Sequence, residues 1–169
     1  MTFDLNLPDA AATARLGAAL AAGVLPGRVL HLSGELGSGK TTLVRGLLRA
    51  LGIQGAVKSP TYTWVEPYRI SSLDLYHFDF YRFDKKTEWL SSGLREYFRP
   101  DAVCVVEWPE RAGSSLSSPD LAVRLTYQAD ARQATVEAHS AEGEACAAAH
   151  HSRQAGLATC TSVLSTKLE

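Results

Sequence analysis

The chain has 169 residues, of which 46% are hydrophobic and 21% are charged, and its formal net charge is −1. This length and balance predict one globular α/β domain with a sizeable core, and they exclude a disordered chain. The near-neutral charge argues against a protein that wraps nucleic acid by itself, because phosphate neutralisation requires clustered Lys and Arg. If RNA is involved, we expect a partner to hold it.

The cysteine pattern predicts neither a disulfide framework nor a metal site. Cys104, Cys146 and Cys160 are odd in number and show no C-x-x-C spacing. Cys146 stands near His150 and His151, but no second pair of ligands has metal-binding spacing. We see no charged segment followed by an apolar one at the start, and no apolar run of about 20 residues. We therefore expect a soluble, cytoplasmic protein without membrane contact.

The first part of the chain predicts a helix, a strand and a second helix. Asp9 can cap a helix over residues 10–22. Residues 28–32 have the pattern of a short buried strand, and residues 40–51 that of an amphipathic helix whose leucines face a sheet. This order of strand, loop and helix is the start of an α/β unit.

A glycine-rich loop joins that strand to the second helix and matches the pattern G-x-x-x-x-G-K-[ST]. Gly34, Gly39, Lys40 and Thr41 supply the fixed positions. The glycines let the backbone turn tightly, so that successive N–H groups and the helix N-terminus can face one centre of negative charge. We expect Lys40 to reach the β- and γ-phosphates and the Thr41 hydroxyl to ligate Mg²⁺. The candidate nucleotide-binding residues of the loop are Glu35, Leu36, Gly37, Ser38, Gly39, Lys40, Thr41 and Thr42.

The region after the second helix predicts a hairpin and two helical pieces. Residues 59–65 and 73–80 are rich in β-branched and aromatic residues and alternate with period two, which predicts an antiparallel hairpin. Its turn is expected over residues 67–72. Residues 85–99 predict two short helical pieces, broken at a Ser-Ser-Gly sequence.

The last third of the chain completes the predicted fold. Residues 102–106 form a continuous apolar run, typical of a central strand buried on both faces, and residues 121–138 predict a second hairpin. The fold class is therefore α/β, with a mostly parallel central sheet flanked by helices and with antiparallel hairpins added. We expect a single P-loop domain over residues 1–140 and a poorly ordered or loosely helical tail over residues 141–169.

Two carboxylates are candidates for binding a metal and orienting an attacking water. Glu107 follows the apolar strand, and ligands bind at the carboxyl ends of strands in open α/β sheets. The alternative for Glu107 is a solvated acid at a strand end. Asp79 lies near the end of the first predicted hairpin, where it is either a second metal ligand or a surface acid.

Three further side chains allow two interpretations each. Thr61 follows the second helix, where several nucleotide hydrolases place a mobile segment whose hydroxyl meets the γ-phosphate through Mg²⁺. The alternative is an ordinary turn. Arg82 can neutralise transferring charge or pair with an acid such as Asp84. His77 is more typical of a satisfied hairpin histidine than of a catalytic base.

Five sequence blocks occur in a fixed order. They are Gly34-x-Leu36-Gly37-x-Gly39-Lys40-Thr41-Thr42, Ser59-Pro60-Thr61-Tyr62-Thr63, His77-x-Asp79-x-Tyr81-Arg82, Gly93-Leu94-x-Glu96-Tyr97 and Glu107-Trp108-Pro109-Glu110. Through them the chain resembles the TsaE (YjeE) family, the small bacterial ATPases of tRNA threonylcarbamoyladenosine biosynthesis. Each block alone is weak, but five in register are specific.

The resemblance implies a P-loop fold that uses ATP and Mg²⁺. It implies a complex with TsaD and TsaB, in which ATP hydrolysis supports repeated turnover of the tRNA modification next to the anticodon and tRNA is bound only through the complex. Asp79 and Glu107 resemble the family's acids at the metal and the attacking water, and Thr61 resembles its switch-like threonine. Thr13 and Arg132 fall where the family contacts the base and sugar side of the nucleotide.

Two other functions stay open from the sequence. A small-molecule kinase would share the phosphate loop, but such enzymes usually carry a lid with several arginines, and residues 85–119 hold only Arg95, Arg99 and Arg111. A nucleotide-dependent switch without useful catalysis is the second alternative, and the presence of Glu107 favours hydrolysis over it.

The sequence departs from the family just before Gly93-Leu94, where the acidic residues common in the family are missing. No N-K-x-D guanine motif is present, which favours adenine.

Overall fold

The computed structural model describes residues 1–71, 73–128 and 130–148. Within these ranges the strands are β1 (Thr2–Leu7), β2 (Val29–Gly34), β3 (Val65–Ile70), β4 (Leu73–Asp79), β5 (Ala102–Glu107), β6 (Leu121–Gln128) and β7 (Ala131–Ala138). The α-helices are α1 (Ala10–Leu20), α2 (Lys40–Ala50) and α3 (Lys86–Ser91), and residues 141–148 are also helical. Asp9 caps α1 as predicted, because its side chain accepts a hydrogen bond of 2.6 Å from the Ala12 N–H.

The strands of the described residues form one sheet in the order β1-β7-β6-β2-β5-β4-β3. The four central strands, β6, β2, β5 and β4, run parallel to one another. The edges are antiparallel, since β3 pairs with β4 and both β6 and β1 pair with β7. The predicted α/β fold class, with a mostly parallel centre and added hairpins, is confirmed.

The two faces of the sheet are covered by different cores. Val103 and Val105 of β5 belong to an aliphatic cluster with α1 and α2. Cys104 and Val106, which alternate with them, belong to an aromatic cluster on the opposite face. The two helices approach closely, because a Cβ on Gly46 would lie 2.0 Å from the Ala14 carbonyl oxygen. This packing fixes α2, and with it the end of the glycine loop, against the sheet.

The first hairpin exists, but its predicted first arm was wrong. The arm is β3, which begins at Val65, whereas residues 61–63 form a turn. Pro67 was interpreted as part of the connecting turn, yet it lies within β3 and pairs with Tyr76. A proline is tolerated there because β3 is an edge strand, where the missing N–H need not serve a second neighbour. The true connection lies around Ser71, whose φ is 55°.

Two other features extend the predicted fold. β1 was not predicted from the sequence, although Phe3, Leu5 and Leu7 alternate with polar residues. Residues 141–148 are helical, and Cys146 and Ala147 within them lie in the aliphatic core. Residues 149–169 lie outside the described part, so the boundary at residue 140 stays a prediction. Within the described ranges, no helix has both the length and the apolar character that crossing a membrane requires.

Candidate functional site

The glycine loop occupies the carboxyl end of β2, at the centre of the sheet. β2 ends at Gly34 and α2 begins at Lys40. Gly34, Gly37 and Gly39 have φ angles of 136°, 78° and 108°, which side chains with a Cβ rarely adopt. A Cβ on Gly34 would also lie 2.2 Å from the Leu125 carbonyl oxygen. The loop therefore needs glycine here both for its backbone conformation and for its close approach to β6.

Lys40 folds back into the loop. Its Nζ donates hydrogen bonds to the carbonyl oxygens of Gly34 (2.7 Å) and Glu35 (2.9 Å), and it lies 3.9 Å from the centre of the Trp108 ring. Burial lowers the pKa of Lys40, and the negative charges of Glu107, Glu110 and Asp79 oppose that shift. The ammonium group is thus held where an anion entering the loop would meet it.

Glu107 ends β5 and is held at both carboxylate oxygens. The Thr41 hydroxyl donates to Oε2 at 3.1 Å, and Nε2 of His77 lies 2.9 Å from Oε1. Glu107 is only 2% exposed, so it is not the solvated strand-end acid considered as its alternative. The hydroxyl of Thr41 keeps its lone pairs, because it donates rather than accepts in this contact.

Asp79 lies beside Glu107, as its register partner at the end of the adjacent parallel strand. The hydroxyls of Ser59 and Thr61 both donate to its Oδ2, the latter at 2.9 Å, and the Tyr81 N–H donates to Oδ1 at 2.9 Å. Asp79 is buried, so the alternative of a surface acid does not apply. Thr61 does lie in a turn, but its hydroxyl faces the carboxylate rather than solvent.

Thr13 and Arg132 flank the other side of the loop, at Gly39. A Cβ on Gly39 would lie 3.2 Å from Thr13 Cγ2 and 3.6 Å from Arg132 Cδ. The Thr13 hydroxyl donates to the Asp9 carbonyl at 3.2 Å, whereas Nε of Arg132 is buried and has no hydrogen-bond partner among the described residues. The structure brings both residues to the loop, and their contact with a nucleotide stays a prediction.

A cleft of about 430 Å³ joins these groups, a volume in the range of small-ligand sites. Its lining residues are Leu36, Gly37, Gly39, Lys40, Thr41, Thr42, Ser59, Thr61, Tyr62, Asp79, Tyr81, Arg82, Glu107 and Trp108. Among the described residues, Arg82 does not pair with Asp84, which was one of its two interpretations. Its guanidinium lies 4.2 Å from the centre of the Tyr62 ring, and Tyr62 is 82% exposed.

Sequence reasoning missed the contact partners of the two acids. His77 lies in the first hairpin, as expected, but its partner there, the buried Glu107, was not predicted. Ser59 was not predicted to contact either acid, but its hydroxyl donates to Asp79. The alternation of His77 and Asp79 along one strand is the one sequence signal that places both side chains on the same face.

The chemistry of the site fits a hard divalent cation. The side chains of Thr41, Asp79 and Glu107 offer oxygen atoms only, which Mg²⁺ prefers. No group of three or more His, Cys, Asp or Glu side chains suited to a metal occurs in the part of the chain that the structure describes. A cation here would therefore need further oxygen ligands, as Mg²⁺ does when it binds through one or two carboxylates plus phosphates and water.

Comparison with known proteins places the chain in a family. The family model described as threonylcarbamoyl adenosine biosynthesis protein TsaE matches residues 7–135. The tRNA threonylcarbamoyladenosine biosynthesis protein TsaE of Haemophilus influenzae is 47% identical over 104 residues, which cover 62% of this chain and 66% of that protein. The protein of the same name from Bacillus subtilis is 40% identical over 126 residues, or 75% of this chain and 77% of its own length.

A solved structure supports the same grouping. The crystal structure of Bacillus subtilis YdiB matches this chain with a TM-score of 0.77 at 30% sequence identity, and the match covers 91% of this chain and 97% of that one. The α/β fold is therefore of the P-loop type, and the resemblance drawn from the five sequence blocks is confirmed. The chain belongs to the TsaE family, whose members take part in tRNA threonylcarbamoyladenosine biosynthesis.

Proposed function

We propose that this protein binds and hydrolyses ATP in a Mg²⁺-dependent reaction that supports threonylcarbamoyladenosine modification of tRNA. In this proposal it works through a complex with TsaD and TsaB, and tRNA is bound by the complex rather than by this chain alone. The near-neutral net charge of −1 supports that division of roles.

One observation carries the proposal. The glycine loop, the first turn of α2 and the ends of β4 and β5 meet in a single cleft, where Thr41 bonds Glu107 and Glu107 lies in register with Asp79. A phosphate loop supplies a nucleotide site, and two buried carboxylates beside it supply what hydrolysis needs in addition. The same carboxylates would have little purpose in a protein that only bound phosphate.

The residues divide into three roles. Lys40 and the loop amides hold the phosphates, and the Thr41 hydroxyl and Asp79 hold the cation. Glu107 orients the attacking water and accepts its proton, because its carboxylate is fixed at the strand end beside Thr41. Bound Mg²⁺ supplies charge neutralisation on the β- and γ-phosphates. Thr61 couples the turn over residues 59–62 to Asp79, and so to the state of the nucleotide.

The kinase alternative receives less support. Arg99 pairs with Asp74 and Asp101, and Arg111 donates to the Phe83 carbonyl oxygen. Among the described residues, Arg82 is the only arginine that lines the cleft. The several arginines expected of a kinase lid are therefore not gathered at this site.

The test is ATP hydrolysis by the purified chain, alone and mixed with TsaD, TsaB and tRNA. We expect slow turnover by the isolated chain and strong stimulation by the mixture, with Lys40→Ala inactive in both as the control. Absence of hydrolysis in the complete mixture would contradict the proposal. Transfer of the γ-phosphate to a small acceptor would instead support a kinase.

A further inference from the structure

We propose that His77 is a positioning residue that fixes the carboxylate of Glu107 for hydrolysis. This inference rests on the proposed function, because it assigns the geometry of Glu107 to a side chain that does not itself face the nucleotide. His77 is absent from the lining of the cleft, whereas Glu107 and Asp79 belong to it. Its role is therefore exerted through Glu107.

The placement of His77 carries the first step. It lies on β4 two residues before Asp79, so both side chains point to the same face of the sheet. Its register partner on β5 is Val105, which stands two residues before Glu107. The imidazole therefore lies two residues further from the strand ends than the two acids do. Its Nε2 reaches Glu107 Oε1 at 2.9 Å.

The second step concerns what the histidine does for the carboxylate. A carboxylate oxygen accepts hydrogen bonds, so Nε2 of His77 donates to Oε1 while the Thr41 hydroxyl donates to Oε2. The two donors approach Glu107 from different elements, β4 and α2. Together they fix both the position and the rotation of the carboxylate, and removing one of them releases the rotation.

The third step separates this role from simple filling of the core. His77 is fully buried, and its Nδ1 has no hydrogen-bond partner in the residues that the structure describes. Leaving a buried polar atom unpaired is unfavourable, and an apolar side chain would fill the same space without that penalty. The contact that an apolar side chain could not provide is the one to Glu107.

The experiment compares three single variants in the complete TsaD, TsaB and tRNA mixture. His77→Leu removes the donor and stays apolar. His77→Gln keeps a donor, because its amide nitrogen can reach the position of Nε2. Val105→Ala is the matched control, since it weakens the core directly beside His77 and removes no hydrogen bond to the carboxylate. If His77→Leu does not fold, His77→Asn replaces it, because its shorter amide cannot reach Oε1.

We expect His77→Leu to lower kcat about 10- to 100-fold, the size expected when a reacting group loses its orientation, while ATP affinity changes less than threefold. His77→Gln should recover most of the rate, and Val105→Ala should lower thermal stability with little change in kcat. An equal loss of kcat in His77→Leu and Val105→Ala, or no recovery by a folded His77→Gln, would overturn the inference.

Crystal structures of the variants provide a readout that does not depend on hydrolysis. We expect the carboxylate of Glu107 to keep its orientation in His77→Gln and to rotate about its remaining contact with Thr41 in His77→Leu. A carboxylate that stays in place in His77→Leu would overturn the inference even if the wild type hydrolysed ATP normally. Failure of the wild type to hydrolyse ATP would contradict the proposed function, but it would not change this structural outcome.

Discussion

The two sides of the cleft are built in different ways. The loop side, residues 34–41, is fixed by glycine backbone conformations and by the packing of α2 into the aliphatic core, and Lys40 within it is 4% exposed. The turn side, residues 59–62, carries no regular element and ends in the 82% exposed Tyr62. Its link to the site is the pair of hydroxyl groups of Ser59 and Thr61 on Asp79.

This difference suggests that the two sides of the cleft have different functions. A side built into the core is suited to binding a phosphate in one fixed geometry, whereas a turn held by side-chain hydrogen bonds can change with the ligand. We therefore expect changes on the loop side to affect nucleotide affinity, and changes on the turn side to affect the response to the γ-phosphate. Glu107, which belongs to neither side, should affect the rate.

The largest effect on nucleotide affinity is expected from Lys40→Ala on the loop side. The substitution removes the cation that is proposed to meet the phosphates, and charged hydrogen bonds of this kind contribute about 1.5–3 kcal/mol each. ATP affinity should fall at least about 100-fold in a calorimetric titration. Lys58→Ala, which changes an exposed lysine near the turn side, is the control. Near-normal ATP affinity in Lys40→Ala would contradict the prediction that the loop side binds the nucleotide.

Glu107→Gln should separate rate from affinity. The amide keeps the size of the side chain but cannot accept a proton from water, so hydrolysis should fall about 100- to 1,000-fold while most ATP binding remains. Single-turnover hydrolysis in the TsaD, TsaB and tRNA mixture measures the rate. Glu66→Gln, at an exposed acid on β3, should leave it unchanged. Unaltered turnover in Glu107→Gln would remove this residue from the mechanism.

Acidification should weaken the strand that leads into the loop side. Burial, with a contribution from His139, lowers the pKa of His31 on β2 from 6.5 to about 4, against an opposing hydrogen bond from the imidazole to the backbone of Ser117. The unfolded chain then binds a proton that the folded chain does not, so stability is lost as pH falls from 6.5 towards 4. At pH 5 the loss from this residue is about 2 kcal/mol.

Urea unfolding at pH 7 and pH 5 measures that loss. His31→Gln should lose less stability than the wild type between the two pH values, because glutamine does not titrate. If both proteins lose the same amount, burial of His31 is not what makes the fold sensitive to acid.

The smallest effect is expected on the turn side, from Thr61→Ala. Losing one of two hydroxyl donors to Asp79 should reduce the preference for ATP over ADP by about 3- to 10-fold, which corresponds to a typical net hydrogen bond. Thr63→Ala, at an exposed position in the same turn, is the control. An intact preference for ATP in Thr61→Ala would show that the turn side does not respond to the γ-phosphate.

The same contrast explains what the sequence could predict. The loop side follows from local chemistry, because Gly34, Gly39 and Lys40 stand at fixed spacing between a strand and a helix. The turn side does not, since residues 59–65 have the composition of a strand. In the structure β3 begins only at Val65 and includes Pro67, which an edge strand tolerates. The pairing of His77 with Glu107 joins residues 30 positions apart, which no local pattern reveals.

The measurement that tests the central claim most directly is calorimetric binding of ATP and ADP to the wild-type chain, with and without Mg²⁺. The account predicts binding at one site per chain, tighter for ATP than for ADP only when Mg²⁺ is present, because Thr41 and Asp79 would hold the cation and the cation would neutralise charge on the γ-phosphate. Absence of ATP binding, or an affinity for ATP that Mg²⁺ does not change, would contradict it.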